Sequence, residues 1–254
     1  IMNGIDGGEL ISPTLTFEAI NQFASKTMKT NVVRVPMTKE IGIDLKTTGQ
    51  MVNSKTNMVY LCNPNNPTGV IMNPKELEVF CKETSKKSIV FVDEAYHEYV
   101  MDKQYRSMVS LVNEGYDVLI SRTASKVHGL AGLRVGYAIS TPKIIKRLNS
   151  YMNGSLNVVG LRGAIASYKD KRFQKFSIEK NNEGRTIFTD YLDKKGIEYL
   201  DSQTNFIFIK TGIDIKKFQP AMEKHKVLVG RPFPPYTDWC RLSIAKPEEM
   251  ESFN

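Results

Sequence analysis

Residues 58–92, MVYLCNPNNPTGVIMNPKELEVFCKETSKKSIVFV, are the stretch that decides the fold. They begin and end with apolar runs, Met58–Cys62 and Ile89–Val92, which predict buried strands of a parallel sheet. The segment Asn73–Glu83 predicts a helix between them, because Asn73 is a good N-cap residue and a proline follows it in the first turn. A strand, a helix and a second strand in this order are typical of an α/β fold.

The alternation of strands and helices continues along the rest of the chain. Further apolar runs predict strands at Val118–Ser121, Val135–Ile139, Phe206–Ile209 and Leu242–Ile244. Further helical patterns lie at Pro142–Tyr151, Phe173–Lys194 and Asp214–Lys224. The predicted apolar face of the second of these helices consists of Phe173, Phe176, Ile187, Tyr191 and Leu192. We therefore expect an α/β protein whose central sheet is mostly parallel and flanked by helices.

The bulk composition is that of an ordinary globular protein. The 254 residues are 41% hydrophobic and 24% charged, enough for one large domain or two smaller ones. No apolar run approaches the roughly 20 residues that span a bilayer, so we expect no membrane segment. Cys62, Cys81 and Cys240 are far apart, which argues against a disulfide framework and favours a reducing compartment such as the cytoplasm.

The net charge of +8 has two interpretations. The simpler one is a solvated basic surface, and the other is a preference for anionic small molecules. The lysines are scattered along helix-like segments without interleaved aromatic residues, so we expect no nucleic-acid partner. The cysteines and the three histidines have no metal-ligand spacing, so no metal site is expected.

Polar loops follow three of the predicted strands. They are NPNNPTG (63–69), DEAYHEY (93–99) and RTASK (122–126). Because ligands of α/β sheets bind beyond the carboxyl ends of the strands, we expect these loops to open on one edge of the sheet. That edge is the predicted site.

The side chains of these loops match the groups of one small molecule. A buried carboxylate is costly, so Asp93 needs a cationic partner such as a protonated ring nitrogen. Tyr96 offers a phenol and Lys126 offers an amine. Candidates for holding a phosphate are Arg134, Thr123 and Ser125. A ring nitrogen, a phenolate oxygen, an aldehyde and a phosphate occur together in pyridoxal 5′-phosphate (PLP).

Longer motifs extend this pattern along most of the chain. They are NPNNPTG (63–69), VDEAYHEY (92–99), SKVHGLAGLRVGY (125–137), TNFIF (204–208), VLVGRPF (227–233) and WCRLSIAKPEEM (239–250). With these motifs the chain resembles the PLP-dependent aminotransferases of fold type I, class I/II. Within that family it is most similar to the histidinol-phosphate aminotransferase branch and its aromatic-aminotransferase relatives.

The resemblance implies a role for each cofactor residue. Lys126 would hold the cofactor aldehyde and act as the proton shuttle, and Asp93 would keep the ring nitrogen protonated. Asn66 and Tyr96 would hydrogen-bond the phenolate oxygen. The implied phosphate ligands are Thr123, Ser125 and Arg134, together with Ile5 and Asp6 of the NGIDGGE motif. Phe17 would stack on the cofactor ring.

The resemblance also implies substrate contacts. Arg241 would hold the acidic end of the substrate, which is a carboxylate in most relatives and a phosphate in the histidinol-phosphate branch. Arg231 lies close to a second substrate-phosphate arginine of that branch, and Asn66 would also contact the substrate. His128 is expected to be structural or to line the pocket, because Lys126 already transfers the proton.

The resemblance finally implies an organisation and a set of partners. Residues 1–155 would form the large PLP-binding domain without its N-terminal part, and residues 156–254 a connecting helix and a small C-terminal α/β domain. The partners would be an amino donor, a 2-oxo acid and a second copy in a homodimer. Two other functions remain open on the same fold: a PLP-dependent lyase or decarboxylase, of which threonine-phosphate decarboxylase is a similar case, and a non-catalytic PLP-binding regulatory domain.

Overall fold

A computed structural model describes residues 8–152, 154 and 156–251. The strands are β1 (Glu9–Pro13), β2 (Asn31–Val35), β3 (Thr56–Cys62), β4 (Ile89–Asp93), β5 (Val118–Thr123), β6 (Gly136–Ile139), β7 (Phe206–Lys210) and β8 (Trp239–Ser243). The helices are α1 (Glu18–Gln22), α2 (Leu45–Met51), α3 (Pro74–Thr84), α4 (Val109–Asn113), α5 (Pro142–Ser150), α6 (Val158–Lys169), α7 (Lys171–Lys195), α8 (Ile215–Lys224) and α9 (Pro247–Glu251). A π-helical turn follows α1, and short 3-10 turns lie at His97–Tyr99 and Ala131–Leu133.

Six strands form one sheet in the order β2-β1-β3-β4-β5-β6. All neighbours in it are parallel except β5 and β6, which are antiparallel. The register pairs Cys62 with Asp93 and Asp93 with Ser121, so these three residues lie side by side at one edge. The loops that follow β3, β4 and β5 therefore leave the sheet at the same edge, as expected for parallel strands.

Helices cover both faces of this sheet. Successive residues of β3 point to opposite faces: Val59 and Leu61 join one buried cluster, and Met58, Tyr60 and Cys62 join the other. Side chains of α3 and α4 complete the first cluster, and side chains of α5 pack into the second. The predicted fold class is confirmed, since the mostly parallel sheet has a hydrophobic core on each face.

The sequence patterns did not predict the first two strands of the chain, β1 and β2. β1 carries Glu9, Ser12 and a terminal proline, and β2 carries Asn31 and Arg34, so neither is a continuous apolar run. The structure nevertheless buries Ser12 completely, because β1 lies inside the sheet between β2 and β3. Position within the sheet overrides the weak local pattern here.

A second, two-stranded sheet lies towards the carboxyl end of the chain. β7 and β8 are antiparallel, and the long helix α7 and helix α8 pack on them in a separate hydrophobic cluster. β8 starts three residues before the predicted strand and leaves out Ile244. The division into domains at residue 155 stays a prediction.

The apolar face expected for α7 is wrong at its beginning. Phe173 and Phe176 are exposed, whereas Leu192 is buried and Ile187 and Tyr191 are partly buried. The buried positions of α7 are Asn181, Gly184, Phe188 and Leu192. Ile178 packs against the buried cluster around Tyr96, and the later turns pack on the small sheet, whereas Phe173 and Phe176 face solvent.

Among the described helices, none combines the length and apolarity that a membrane crossing requires.

Candidate functional site

Asp93 ends β4 at the edge of the large sheet, and neighbouring strands supply its hydrogen bonds. Ser121 donates to Oδ1 at 2.7 Å, and the Tyr60 hydroxyl donates to Oδ2 at 3.1 Å. Burial raises the pKa of the Asp93 carboxyl, while these hydrogen bonds and the Lys126 ammonium oppose that rise. The Ala95 backbone N–H adds a third neutral donor, and the carboxylate is set to gain from a further cationic partner.

Lys126 lies in the turn after β5 and reaches towards the same edge. Its Nζ is 4.8 Å from the centre of the Tyr96 ring. Burial lowers the pKa of Lys126, and the Arg241 guanidinium lowers it further, whereas Asp93 raises it. The amine therefore becomes neutral at a lower pH than an ordinary lysine, and a neutral amine is the form that attacks an aldehyde.

Tyr96 is buried beneath the Lys126 amine. The centres of the Tyr96 and Phe206 rings are 5.1 Å apart, with the two ring planes perpendicular. Tyr96 also packs in a buried cluster with Tyr99 and Val127. Burial raises the pKa of the Tyr96 phenol, so this group remains a neutral hydrogen-bond donor.

Asn66 and Arg241 meet across the two sheets. The Arg241 Nη1 donates to the Asn66 Oδ1 at 2.6 Å, which joins the loop after β3 to strand β8. The guanidinium also lies over the rings of Phe206 and Phe233, at 5.0 and 5.8 Å from their centres. Its Nε is buried and has no hydrogen-bond partner among the described residues. The guanidinium of Arg241 therefore contains one N–H donor that no described residue pairs.

Arg231 lies near Arg241 on the same aromatic support. Its guanidinium carbon is 4.4 Å from the centre of the Phe233 ring, while the residue as a whole is exposed. The charge of Arg231 helps to lower the pKa of Arg241, after the larger effect of burial. Two guanidiniums on one ring form a region of positive charge that favours an anion.

The three predicted phosphate ligands lie at the edge of the site. Thr123 Oγ1 is 2.8 Å from Ser125 Oγ, and Ser125 donates its backbone N–H to Thr123 at 3.1 Å. Arg134 is exposed, has a left-handed backbone with φ of 55°, and donates to the Ala131 carbonyl at 2.9 Å. Its charge still reaches Lys126, whose pKa it lowers.

Three further predictions receive no test from the structure. Phe17 is 40% exposed at the start of α1, and its neighbour Thr16 hydrogen-bonds Asn65 at 2.9 Å. Stacking of Phe17 on a cofactor therefore stays a prediction. Ile5 and Asp6 lie outside the described residues.

A buried ion pair below the site was missed by the sequence analysis. Glu94 is fully buried and accepts from Arg122 at 2.8 Å, from the Ser107 hydroxyl at 2.8 Å and from the Met108 backbone at 3.0 Å. Two charged residues next to predicted strands were the only signal. The pair anchors the DEAYHEY loop to β5.

Among the described residues, no cluster of three His, Cys, Asp or Glu side chains could hold a metal ion.

Comparison with known proteins places this geometry in a family. The profile described as aminotransferase class I and II matches residues 2–253. The chain belongs to this family, as the sequence motifs indicated.

One curated relative and two solved structures illustrate the similarity within this family. The chain is 34% identical over 251 residues to histidinol-phosphate aminotransferase 2 of Hydrogenovibrio crunogenus, covering 97% of this chain and 66% of that protein. A solved structure from Erwinia carotovora atroseptica, provisionally described as a histidinol-phosphate aminotransferase, is 33% identical with a TM-score of 0.94, covering 99% of this chain and 74% of that one. The histidinol-phosphate aminotransferase of Sinorhizobium meliloti, solved with PLP, has the same fold at 24% identity and a TM-score of 0.85, covering 98% and 72%.

The chain is shorter than the relatives it matches. It spans between 57 and 66% of the length of three curated histidinol-phosphate aminotransferases.

Proposed function

We propose that this protein is a PLP-dependent aminotransferase that moves an amino group between an amino acid or histidinol phosphate and a 2-oxo acid. The observation that carries the proposal is the grouping of Asp93, Tyr96 and Lys126 at the edge of the large sheet with Arg241 of β8, whose charge acts on Lys126. The similarity to histidinol-phosphate aminotransferases supports the same reaction.

The residues present fit PLP. Lys126 supplies an amine with a lowered pKa, and Asp93 supplies a carboxylate that lacks a direct cationic contact within hydrogen-bond range among the described residues. Asn66 and Tyr96 suit the phenolate oxygen, and Thr123, Ser125 and Arg134 offer two hydroxyls and a guanidinium for the phosphate. When bound, PLP supplies the electron sink that stabilises a carbanion at the substrate Cα.

The protein side chains would divide the remaining work. The Lys126 amine takes the proton from the substrate Cα and later returns a proton to the product. Asp93 holds a proton on the ring nitrogen through its negative charge. Tyr96 and the apolar side chains packed around it would exclude water from one side of the Lys126 amine. The lower local polarity would strengthen electrostatic interactions at that amine.

Arg241 would bind the acidic group of the substrate, and Arg231 would add a second positive charge. A planar guanidinium suits a carboxylate or a phosphate, and the Nε of Arg241 has no hydrogen-bond partner among the described residues. The pair on Phe233 supports a donor that carries two negative charges, as a phosphate monoester does near pH 7. We therefore propose histidinol phosphate as the first donor to test.

The direct experiment is a half-reaction with the purified, PLP-loaded protein. Histidinol phosphate, aromatic amino acids and glutamate would be mixed separately with the enzyme, and conversion of the cofactor to its amine form followed by absorbance. Return of the absorbance on addition of 2-oxoglutarate is expected for at least one donor. Stoichiometric release of carbon dioxide would instead indicate a decarboxylase, and binding without turnover of any donor a regulatory protein.

We also propose a homodimer. Exposed apolar side chains accumulate on α6 and the first turns of α7; they include Val158, Val159, Ile165, Phe173 and Phe176. Exposed apolar side chains in such number mark a surface that another protein covers. Sedimentation velocity should give twice the mass of the chain, and a fully active monomer would contradict the proposal.

The cellular setting and the domain division are proposals of the same kind. Cys62, Cys81 and Cys240 are all free thiols and all buried, which suits the reducing cytoplasm that we propose. The change from the large sheet to the small one supports a division near residue 155. Limited proteolysis with mass spectrometry would test that boundary.

A further inference from the structure

A cluster of polar side chains surrounds His128, which lies two residues after Lys126 in the chain. It consists of Glu98, His128, Ser167 and Tyr168, and we call it the His128 cluster. His128 is 3% exposed; its Nδ1 is 2.9 Å from Ser167 Oγ, and its Nε2 is 3.6 Å from Glu98 Oε1. The centres of the His128 and Tyr168 rings are 4.1 Å apart. These residues are separate from those proposed to touch cofactor or substrate.

The cluster joins the two loops that carry the proposed chemistry. Glu98 is two residues after Tyr96, and His128 is two residues after Lys126. Val127, between Lys126 and His128, is itself buried against Tyr96. Ser167 and Tyr168 belong to α6, so the contacts of His128 fasten the Lys126 loop to two other elements. A shift of His128 would therefore move the amine relative to the Tyr96 ring.

The hydrogen bonds of the cluster are incomplete. Glu98 Oε2, His128 Nε2 and Tyr168 Oη are buried and lack a well-formed hydrogen bond among the described residues, although Glu98 Oε2 is 3.1 Å from His97 Nδ1 and Tyr137 lies against the Tyr168 ring. Buried polar atoms are nearly always paired in folded proteins, and a group of exceptions at one place calls for an explanation. A proton on His128 would change the interactions of two of these three atoms.

The contacts of His128 favour one neutral tautomer. Nδ1 accepts from the Ser167 hydroxyl, and Nε2 carries the hydrogen, because a bare Nε2 lone pair would face the Glu98 carboxylate. Protonation gives both ring nitrogens a hydrogen and places a positive charge opposite Glu98. The loop is thus held by the Ser167 hydrogen bond in the neutral state and, in the charged state, by that contact and an ion pair with Glu98.

We propose that His128 and Glu98 are positioning residues for Lys126, and that the charge state of His128 sets how firmly the Lys126 loop is held against Tyr96. The inference rests on the proposed function, since Lys126 must be the reacting amine for its position to affect turnover. Neither residue donates or accepts a proton from the substrate in this account.

Titratable groups on two elements act on His128: Glu98 and His97 in one 3-10 turn, and Lys171 in α7. Burial is the largest influence and lowers the pKa of the imidazole, Glu98 raises it, and Lys171 of α7 and His97 lower it. Tyr168 contributes a neutral ring from α6. Glu98→Gln should therefore lower the pKa of His128 further, and Lys171→Gln should raise it.

The experiment compares His128 with His225, an exposed histidine at the end of α8. His97 is not the control, because its Nδ1 is 3.1 Å from Glu98 Oε2 and its charge acts on the pKa of His128. His128→Phe and Glu98→Gln in the PLP-loaded full chain should lower kcat by about 10- to 100-fold, with KM for the amino donor changed by less than about threefold. His225→Gln is the control and should keep both constants near wild type.

A second measurement separates positioning from a purely structural role. NMR titration of the His128 ring in the cofactor-free chain should show the pKa fall in Glu98→Gln and rise in Lys171→Gln, and kcat should change with pH around the wild-type pKa. If Glu98→Gln leaves kcat and the His128 titration unchanged, the proposal is wrong, even where His128→Phe fails to fold. If wild type itself transaminates no donor, the proposed function fails instead, and the titration still reports whether Glu98 acts on His128.

Discussion

The two ends of the proposed cofactor site are built differently. At the inner end, Asp93, Tyr96 and Arg241 are packed by hydrogen bonds or aromatic contacts within the protein, and the charges of Asp93 and Arg241 perturb the pKa of Lys126. At the outer end, Arg134 is exposed, and its side-chain hydrogen bond within the described part of the chain is to the backbone of its own turn. Chemistry that depends on electrostatics gains from burial, whereas attachment of a phosphate needs only accessible donors. We expect variants at the inner end to affect turnover and variants at the outer end to affect cofactor affinity.

The largest effect is expected for Lys126→Ala. The variant should lose at least about ten-thousandfold in turnover, because it removes both the attachment point and the proton-transfer group. Steady-state assays with the donor found in the half-reaction screen would measure it. Lys86→Ala is the control, because Lys86 is exposed and its ion pair among the described residues is with Glu83. Comparable activity in the two variants would refute the role of Lys126.

Asp93→Asn should come next. The amide keeps the shape of the side chain but carries no charge to hold a proton on the ring nitrogen, so we expect about 100- to 1000-fold lower kcat with cofactor still bound. Absorbance would report the bound cofactor and the assay the turnover. If turnover stays near wild type, Asp93 is only structural.

Arg241→Ala and Arg134→Ala test the comparison within one experiment. Loss of Arg241 should lower kcat/KM by about 30- to 1000-fold, since an anchor for the substrate's acidic group costs about 2–4 kcal/mol. Loss of Arg134 should weaken PLP binding by about 10- to 100-fold and leave kcat at saturating PLP nearly unchanged. The reverse assignment, with Arg241 affecting PLP affinity alone, would break the comparison.

The smallest expected effect is on the pKa of Lys126. Both arginines lower that pKa, with the larger contribution from Arg241. Removing a positive neighbour makes the ammonium easier to keep, so Arg241→Ala should raise the pKa of Lys126 more than Arg134→Ala does. The pH dependence of Lys126 modification by an amine reagent in the cofactor-free chain, followed by mass spectrometry, gives both shifts. Equal shifts in the two variants would mean that the ends are not electrostatically different.

The sequence predicted the placement of the inner residues where one loop follows one strand, while their roles stay predictions. Asp93, Tyr96 and Lys126 lie at the carboxyl ends of buried strands, and parallel topology then brings them to one edge. The strands β1 and β2 were missed because Ser12 and Arg34 interrupt their apolar runs.

Contacts that depend on tertiary packing could not be predicted. Asn66 and Arg241 are 175 positions apart, so no local pattern indicates their hydrogen bond. Tyr60 and Ser121 reach Asp93 only through the register of the sheet. Phe176 looked like part of a buried helix face, but that turn extends beyond the small sheet and stays exposed.

The central claim is that Lys126 is the amine that carries the cofactor. Treating the PLP-loaded protein with sodium borohydride fixes the cofactor to the amine that holds it, and peptide mapping by mass spectrometry then locates the label. The account predicts one pyridoxyl group per chain, on the peptide containing Lys126, and none in the Lys126→Ala variant. A label on another lysine, or equal labelling of the variant, would contradict it.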